Sequence, residues 1–306
     1  MRALLVVNPK ATATTPGTRE VLASALASEV KLDVAVTQTR GHAVELARQA
    51  AVDGLDVVVA LGGDGTVNEV VNGLLADGPA PDGPAFAVVP GGNANVFARA
   101  LGLPETPLEA TSVLLEALAT NRRRRVGLGR VDDHWFTFCA GVGLDAAVVR
   151  RVERARARGE TATPGLFVRQ GLVEFFLGGR GRMPELLLER EGRPPQPLGL
   201  ALICNTDPWT YLGHRSVHPC PDASFETGLD LFGLDSLRTG AVLRALRQVL
   251  TPGARPRGRR VVQVHDAGEV VLTSRHPVPL QVDGDDLGDH TWVRLVAVPG
   301  ALDVVV

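Results

Sequence analysis

One short segment of the chain combines the residue types that bind phosphate. Residues 56–72 read DVVVALGGDGTVNEVVN, in which an apolar run ends in the GGDGT sequence of residues 62–66 and a helical pattern follows. Glycines have no Cβ and allow close backbone approach, and N–H groups at the start of a helix bind phosphate well. A carboxylate in such a site is useful where a cation or a proton transfer requires it. The segment therefore predicts a phosphate site in which Asp64 binds Mg²⁺ or acts as a general base.

Glu69 has two interpretations. With Thr66 it fits a capping box, in which the two side chains close the first turn of the helix. Alternatively, Glu69 contacts the ligand together with the glycine loop. A plain glycine-rich turn would not require an aspartate between its glycines, so Asp64 is the stronger candidate for chemistry in either case.

Two other predicted strand ends carry polar residues. PGGNAN at residues 90–95 follows an apolar run, and Asn8-Pro9-Lys10 follows the first apolar run of the chain. Open α/β sheets bind ligands beyond the carboxyl ends of their strands, so two glycine-rich turns at one sheet edge would form opposite walls of a crevice. Glycine and asparagine also make ordinary turns, which makes PGGNAN a weaker signal than GGDGT.

The elements that must position these turns alternate between strand and helix patterns. Continuous apolar runs, typical of strands buried on both faces, lie at residues 3–7, 32–36, 56–60 and 85–89. Helical patterns lie at residues 18–28, 42–51, 67–75, 94–101 and 107–119. This alternation favours an α/β domain with a doubly wound, mainly parallel sheet.

The pattern changes near Asn121, beyond which short strands separated by turn residues dominate. Those strands are predicted at residues 125–131, 135–138, 197–204, 229–234, 261–265, 270–273, 278–282 and 292–298. Helices are predicted at 145–158, 165–177 and 238–250, and Pro/Gly-rich loops at 77–84 and 192–197. We therefore predict an α/β domain over residues 1–121 and a β-rich, sandwich-like domain over 122–299. The C-terminal strand, within 300–306, is expected to return to the first domain.

Composition excludes several classes of protein. The 306 residues are 45% apolar and 22% charged, unlike a disordered or collagen-like chain. The net charge of −2 gives no nucleic-acid footprint, so we expect no nucleic-acid partner. The three cysteines lack CxxC spacing, which favours neither disulfides nor zinc and fits a reducing cytosol. No apolar stretch reaches the ~18 residues of a membrane span, and the N-terminal run is too short for a signal peptide, so we expect a cytoplasmic protein.

A basic segment suggests a membrane surface. Residues 150–158, RRVERARAR, carry five arginines and one glutamate, and an apolar helical segment follows at 166–177. A basic helix beside an apolar one suits a peripheral protein that meets anionic lipid headgroups. A solvated charged helix next to a core helix is the other interpretation.

Two further patterns imitate known sites. Residues 141–146, GVGLDA, fit the dinucleotide fingerprint G-x-G-x-x-A, but no acidic strand end follows about 20 residues later, so we interpret them as a tight turn. His214 and His218 lie near Cys220, yet no fourth metal ligand is evident. We interpret these three as ordinary loop residues.

GGDGTVNEVVNGL at residues 62–74, with NPK at 8–10 and PGGNANVFARALG at 90–102, resembles the diacylglycerol kinase catalytic family, which includes bacterial lipid kinases and sphingosine kinases. The resemblance continues through GVGLDA at 141–146, PDASFETGLDLF at 221–232 and QVDGDD at 281–286, in the family's order. It implies a nucleotide-binding α/β domain followed by a β-sandwich that holds the lipid.

The resemblance also implies roles for particular residues. It implies two catalytic carboxylates, Asp64 and Asp285, of which Asp285 matches the acidic position of a DGE-like turn and would accept the proton of the lipid hydroxyl. It implies Mg²⁺ at Asp64 and, as a structural ion, at Glu226. The residues it implies at the nucleotide are Asn8, Thr37, Gly62, Gly63, Asp64, Gly65, Thr66, Asn68, Glu69, Gly92, Asn93 and Asn95.

The chain departs from the family's pattern at three places. Asp285 replaces the commoner glutamate and is one methylene shorter, and Val96 stands where many relatives carry aspartate. ETGLD at residues 226–230 can be aligned with the family's acidic segment in more than one way.

The function implied by the resemblance is an ATP- and Mg²⁺-dependent lipid kinase that phosphorylates the hydroxyl of a diacylglycerol-like or sphingoid-like lipid. One alternative is an NAD or sugar-phosphate kinase that shares the GGDGT loop. The other is a non-catalytic lipid-binding regulatory protein, suggested by the departures at Asp285 and Val96. We expect a membrane lipid substrate and peripheral association with the anionic inner membrane surface; the identity of the lipid and a homodimer stay open.

Overall fold

The structure, a computed structural model, describes residues 1–11, 15–160, 163–177, 186–213, 215–251, 253 and 255–306. The chain forms two units. One contains Met1–Leu128, Asp133–Trp135 and Pro299–Val306, and the other contains Gly129–Asp132 and Phe136–Val298. The predicted domain boundary after residue 121 lies just before a strand, and the division between the units falls inside that strand.

The first unit is built on parallel strands. β1 (Arg2–Val7), β2 (Lys31–Val36), β3 (Val57–Gly62) and β4 (Ala85–Pro90) pair in the order β4-β3-β1-β2. The helices are α1 (Pro16–Ala27), α2 (His42–Val52), α3 (Asp64–Leu74), α4 (Val96–Ala100) and α5 (Pro107–Ala119). The C-terminal strand joins this sheet beside β4, where Val304 pairs in parallel with Phe86. The predicted α/β fold with a doubly wound, mainly parallel sheet is confirmed.

Helices cover both faces of this sheet at β1, β3 and β4, which is why these strands are apolar runs. The expectation that residues 32–36 are buried on both faces was wrong, because β2 lies at the edge of the sheet and is mostly exposed. The chain moves from β1 to β2 on one side and returns through α2 to β3 on the other side of β1. Right-handed crossovers therefore place α1 and α2 on opposite faces. On the α1 face, Leu22 and Leu114 pack against the strands. The α2 and α3 helices approach so closely that a Cβ at Gly73 would lie 2.3 Å from the carbonyl oxygen of Val44.

The reversal of direction at β1 creates a topological switch point. Because β2 and β3 lie on either side of β1, the connections that leave the carboxyl ends of β1 and β3 diverge to opposite faces of the sheet. Open α/β sheets bind their ligands in the crevice that such a divergence leaves. The fold therefore points to the segments after Val7 and Gly62.

The second unit is rich in antiparallel strands. From residue 123 onward, the strands are β5 (Arg123–Val131), β6 (His134–Phe136), β7 (Cys139–Gly143), β8 (Leu186–Arg190), β9 (Arg193–Leu198), β10 (Leu200–Cys204), β11 (Thr210–Leu212), β12 (Arg215–Val217), β13 (Leu229–Leu234), β14 (Val261–Ala267), β15 (Glu269–Val282) and β16 (Asp285–Val305). Antiparallel neighbours follow the order β14-β13-β10-β7-β15-β16. The helices are α6 (Leu144–Ala157), α7 (Pro164–Leu177) and α8 (Thr239–Val249). The predicted β-rich second part is confirmed.

Two predictions of local structure in this unit were wrong. The proline-rich segment 192–197, predicted as a loop, contributes to β9, which pairs with β8 alone among the described strands. An edge strand tolerates proline because one side of its backbone needs no partner. The strands predicted at 270–273 and 278–282 are one strand, β15, whose register shifts between Thr273 and Val278. The polar residues between them mark an irregularity in the ladder rather than a turn.

Candidate functional site

The parallel strands of the first unit end at the same level. Val7 of β1 lies opposite both Val36 of β2 and Leu61 of β3. The next residues, which include Asn8, Thr37 and the first glycine of GGDGT, therefore lie along one edge of the sheet. The N–H of Thr37 donates to the carbonyl of Val7 at 2.9 Å, which keeps the end of β2 beside β1.

Asn8 links the end of β1 to the start of α3. Its N–H donates to the Leu61 carbonyl at 3.0 Å, and its Nδ2 donates to the Thr66 hydroxyl at 2.9 Å. Its Oδ1 accepts from the Lys10 N–H at 2.9 Å, which turns the chain after the strand. Asn8 therefore spans the switch point and fixes the first turn of α3.

The two glycine-rich turns pack directly on each other. The N–H of Gly91 donates to the Gly62 carbonyl at 2.7 Å. A Cβ at Gly92 would lie 2.6 Å from the Cα of Gly63, and a Cβ at Gly62 would lie 2.5 Å from the hydroxyl oxygen of Thr66. A side chain at Gly92 would force the turns apart, and one at Gly62 would displace Thr66, so glycine is required at both positions. Gly65 differs, because a Cβ there would meet no protein atom within 4 Å.

Asp64 is the first residue of α3, and its carboxylate reaches the second turn. Its Oδ1 accepts a hydrogen bond from the N–H of Phe97 in α4 at 3.2 Å. The N-cap residue is Gly63, and no side chain caps this helix. The Thr66 N–H donates to the Gly63 carbonyl at 2.9 Å, and the helix dipole favours negative charge at this end of the helix.

The PGGNAN turn uses its two asparagines differently. Asn95 adopts a left-handed conformation, with φ 47°, and is buried. Its Oδ1 accepts from the N–H of Gly92 and its Nδ2 donates to the carbonyl of Gly92, both at 2.9 Å. Asn95 therefore shapes the turn, whereas Asn93 is exposed. Val96, at the start of α4, is buried.

Of the two interpretations of Glu69, the capping box with Thr66 is wrong, because α3 begins at Asp64 and its N-cap is Gly63. The Glu69 carboxylate instead accepts from the N–H groups of Gly41 and Ala43, at 3.0 and 3.2 Å. These groups lie at the N-terminus of α2, whose N-cap glycine has no side chain to satisfy them. Glu69 therefore caps a neighbouring helix.

Asn68 also contacts the protein rather than open space. Its side chain is buried, and its Nδ2 donates to the Trp135 carbonyl at 3.0 Å. Asn72 accepts from the Trp135 N–H at 2.9 Å, and the Trp135 indole donates to the Leu75 carbonyl at 3.1 Å. Asn68 was predicted at the nucleotide, whereas its contacts anchor residues 133–135 to α3.

In the second unit, Asp283 and Gly284 connect β15 to β16 with φ values of 48° and 89°. Two positive φ values in a two-residue Asp-Gly connection are typical of a type I′ hairpin turn. The buried Asp283 carboxylate accepts four hydrogen bonds, from the N–H and hydroxyl of Thr137 and the N–H groups of Phe138 and Cys139, at 2.6 to 3.1 Å. The sequence signals only a turn at Asp283. Asp285, the predicted base, begins β16 and is half-buried.

The same turn is connected to Asp145 through Gln281. The Gln281 Nε2 donates to the Asp145 carboxylate at 2.8 Å, and its Oε1 accepts from the Gly284 N–H at 2.9 Å. Burial raises the pKa of Asp145 to about 6, against the lowering effect of the Gln281 hydrogen bond. A Cβ at Gly141 would lie 2.0 Å from the Asp145 carboxylate, so the glycine makes room for it.

The dinucleotide-like motif at 141–146 has the wrong context for a dinucleotide. β7 contributes its glycines, and both of its described neighbours, β10 and β15, run antiparallel to it. A dinucleotide fingerprint belongs to a parallel βαβ unit. Here the motif starts α6 with Gly143 at φ 86°.

The metal predictions find no ready-made cluster. Within the described residues, no group of three or more His, Cys, Asp or Glu side chains could hold a metal ion. Glu226 is exposed, while the carboxylate of Asp230 in the same segment accepts from the Asp266 N–H at 3.0 Å and contacts His265 at 2.9 Å. His218 contacts Asp207 and Ser216, each at 2.7 Å, and His214 lies outside the described residues.

The basic run of α6 is partly neutralised within its own unit. Arg150 binds Asp286 through two hydrogen bonds of 2.7 and 2.9 Å and pairs with Asp289 at 2.7 Å. Arg151 pairs with Glu174. In the apolar segment that follows, Leu166 is buried, whereas the side chains at 167, 172 and 175–177 lie outside the described residues. None of the helices described is long and apolar enough to cross a membrane.

Comparison with known proteins identifies the family. The model of the diacylglycerol kinase catalytic domain matches residues 2–131. A protein of Chromohalobacter salexigens named "Probable lipid kinase YegS-like" is 32% identical over 303 residues, which cover 97% of this chain and 91% of the relative. A diacylglycerol kinase of Bacillus subtilis is 37% identical over 261 residues, which cover 81% of this chain and 77% of the relative. The chain belongs to the diacylglycerol kinase catalytic domain family, and the resemblance of its motifs is confirmed.

A solved structure shares the fold. The crystal structure of a diacylglycerol kinase from Bacillus anthracis str. Sterne aligns with a TM-score of 0.73 and covers 99% of this chain and 96% of its own. At 21% sequence identity, this likeness concerns the fold alone.

We expect Asp283→Ala to lower the free energy of unfolding by about 3 kcal/mol, because four buried donors lose one acceptor. Asp285→Ala removes a carboxylate two residues away and is expected to change stability by less than about 1 kcal/mol. Urea denaturation followed by circular dichroism measures both. Equal effects of the two substitutions would show that Asp283 is not the anchor of this turn.

The raised pKa of Asp145 predicts a pH dependence of stability. The folded-state pKa of about 6 exceeds the ordinary value of 3.8, so the folded chain holds this proton more tightly than the unfolded chain. The free energy of unfolding should therefore fall as pH rises through this interval, by up to about 3 kcal/mol. Asp145→Asn lacks the titrating group and should lose this component. Urea denaturation of both proteins on either side of the interval measures the difference; parallel pH profiles would contradict the prediction.

Proposed function

We propose that this chain is an ATP- and Mg²⁺-dependent lipid kinase that transfers the γ-phosphoryl group of ATP to a lipid hydroxyl. The observation that carries the proposal is the edge of the first unit's sheet where GGDGT and PGGNAN pack on each other and α3 begins without a side-chain cap. Two relatives that align with most of the chain are named as lipid or diacylglycerol kinases.

The residues at the N-terminal turn of α3 fit a nucleotide phosphate. Gly65 is exposed, and no protein atom fills the space that its Cβ would take. N–H groups in the first turn of a helix donate to phosphate oxygens at short range, and the helix dipole favours their negative charge. We assign the phosphates to the N-terminal turn of α3, with Asn8 and Thr66 holding that turn in place.

Asp64, the first residue of α3, is the candidate for holding Mg²⁺ beside these phosphates. Mg²⁺ usually keeps several waters and binds through one or two carboxylates together with substrate phosphates, so a single well-placed aspartate fits it without a larger cluster. When bound, Mg²⁺ neutralises charge on the transferred phosphoryl group. The hydrogen bond from Phe97 fixes the orientation of the Asp64 carboxylate.

We assign the proton of the lipid hydroxyl to Asp285. The buried Asp283 carboxylate and the Gln281 amide hold the turn that precedes it. This gives the half-buried carboxylate of Asp285 a rigid base, which a proton acceptor needs in order to meet a hydroxyl at hydrogen-bond distance. The shorter side chain of aspartate makes this rigidity more important than it would be for glutamate.

The proposal is tested by incubating the purified protein with labelled ATP and Mg²⁺, in parallel with a lipid extract and with soluble metabolites that include NAD and sugar phosphates. We expect label in the lipid fraction. Label in a soluble product would instead favour the NAD or sugar-phosphate kinase. Lipid binding without any ATP turnover would favour the non-catalytic alternative.

We expect Asp64→Asn and Asp285→Asn each to reduce lipid phosphorylation by about 100-fold or more, because the first removes the proposed Mg²⁺ ligand and the second the proposed proton acceptor. Asp77→Asn is a matched control, since this carboxylate belongs to the same unit as Asp64 and is 85% exposed. Asp285→Glu restores the family's residue and should retain activity. Initial rates at saturating ATP measure the effect, and full activity in both asparagine variants would contradict the assignment.

We expect Gly65→Ala to weaken ATP binding about tenfold while leaving the free energy of unfolding unchanged or slightly higher. The added methyl meets no protein atom, and alanine favours a helix over glycine. Any loss of affinity therefore reports a ligand in that space. Gly17→Ala, in α1, likewise meets no protein atom and serves as the control. Calorimetric titration with ATP measures both variants; unchanged affinity in Gly65→Ala would place the phosphates elsewhere.

A further inference from the structure

Helix α8 presents apolar side chains to solvent. Leu243 is 60% exposed and Leu246 is 47% exposed, whereas Ala245 and Val249 of the same helix are buried against the second unit. Leu243 and Leu246 are three residues apart and therefore lie on one side of the helix. These two neighbouring exposed leucines form an apolar ridge on the surface.

The ridge is surrounded by positive charge. Residues 238–260 contain seven arginines and no aspartate or glutamate, although the chain as a whole has a net charge of −2. Arg255 pairs with Asp222 at 2.5 Å, and Arg260 lies 3.5 Å from Asp235. Among the described residues, the other arginines of this segment form no ion pair. They are Arg238, Arg244, Arg247, Arg257 and Arg259. We call Leu243, Leu246 and these five arginines the α8 surface.

A cavity at the start of α8 adds room for an anionic group. Its volume is about 490 Å³, and its lining includes Arg238, Arg244, Arg257 and Arg259 together with Ser236. No side chain caps the N-terminus of α8, which begins after Arg238. Arginine guanidinium groups and uncapped helix N–H groups both bind phosphate oxygens.

We propose that the α8 surface docks the protein on an anionic lipid bilayer, with Leu243 and Leu246 inserted among the lipids and the arginines on phosphate headgroups. Amphipathic helices that lie in a membrane interface combine these features, an apolar ridge and a basic rim. Arginine stems also cover apolar surface while their charged ends stay in water. A nucleic acid would match the charge but would leave the two leucines exposed.

This surface differs from the basic run that the sequence suggested. In α6, Arg150 and Arg151 are held by acidic partners and Arg154 and Arg156 are exposed, whereas Arg238, Arg244, Arg247, Arg257 and Arg259 around α8 are all exposed. This inference rests on the proposed function, because a lipid substrate that resides in a bilayer requires the enzyme to bind the membrane. The docking itself is measured without ATP.

The test is flotation of the full chain with phosphatidylcholine vesicles that do or do not contain phosphatidylglycerol. We expect binding to the anionic vesicles that weakens as salt is added. Arg244→Gln with Arg247→Gln should weaken it by about 25-fold, at roughly fivefold per arginine, and Leu243→Ser with Leu246→Ser by about tenfold or more.

Matched controls come from other helices. Leu108 of α5 is 61% exposed, so Leu108→Ser removes an equally exposed leucine, and Arg154→Gln with Arg156→Gln removes two arginines of α6. We expect these variants to bind vesicles like the unmodified chain. Equal loss in the α6 variant, or normal binding by both α8 variants, would overturn the proposal. So would binding to a soluble polyanion that depends on the arginines but not on the leucines, or a dimer of the unmodified chain in solution that the α8 variants do not form.

The outcomes separate this proposal from the proposed function. Kinase activity is measured in parallel on a short-chain lipid in detergent micelles. Vesicle binding that depends on the α8 surface, without kinase activity, would support docking and contradict the kinase. Kinase activity with α8 variants that still bind vesicles would support the kinase and contradict this docking surface.

Discussion

The close approach of two glycine turns is the constraint on which the candidate site depends. The hydrogen bond from the Gly91 N–H to the Gly62 carbonyl continues the pairing of β3 and β4 beyond the strands themselves. Because Gly63 and Gly92 have no side chains, the turns stay in contact, and Asp64 can reach the N–H of Phe97. The start of α3 lies directly after this contact, and Asn8 at the end of β1 holds the first turn of the helix through Thr66. The parallel sheet brings the ends of β1, β3 and β4 to one edge, and the glycines allow the turns at that edge to approach each other.

The second unit solves a related problem with a buried carboxylate. A type I′ turn fixes the direction of two strands, but it does not fix their position on the rest of the sheet. Asp283 does so by accepting hydrogen bonds from Thr137, Phe138 and Cys139, just before and at the start of β7. Gln281 adds a hydrogen bond to Asp145, and burial raises the pKa of that carboxyl. The proposed base, Asp285, begins the strand that this network holds.

Much of the fold and part of the candidate site could be predicted from local pattern. Buried parallel strands are continuous apolar runs, and alternation with helices predicts their topology, so the edge that gathers Asn8, Thr37 and GGDGT follows from the sequence. The roles of Glu69 and Asn68 could not be predicted. Each is adjacent in sequence to the phosphate loop, yet Glu69 caps a helix 26 residues earlier and Asn68 bonds to a carbonyl 67 residues later. Position in a motif does not determine which way a side chain on a helix points.

The sequence by itself determined the family, the two-part organisation and the turns where chemistry is expected, because these depend on residue types at short spacing. Tertiary structure alone decided which carboxylates support the fold and which face open space. Asp283 meets Thr137 across 146 residues, and no local pattern encodes such a pair. It also decided where positive charge meets acidic partners: Arg150 and Arg151 of α6 are paired, whereas five arginines around α8 are exposed near two exposed leucines. A sequence gives the number of charged residues, and only the folded structure determines which of them lie beside a partner of opposite charge.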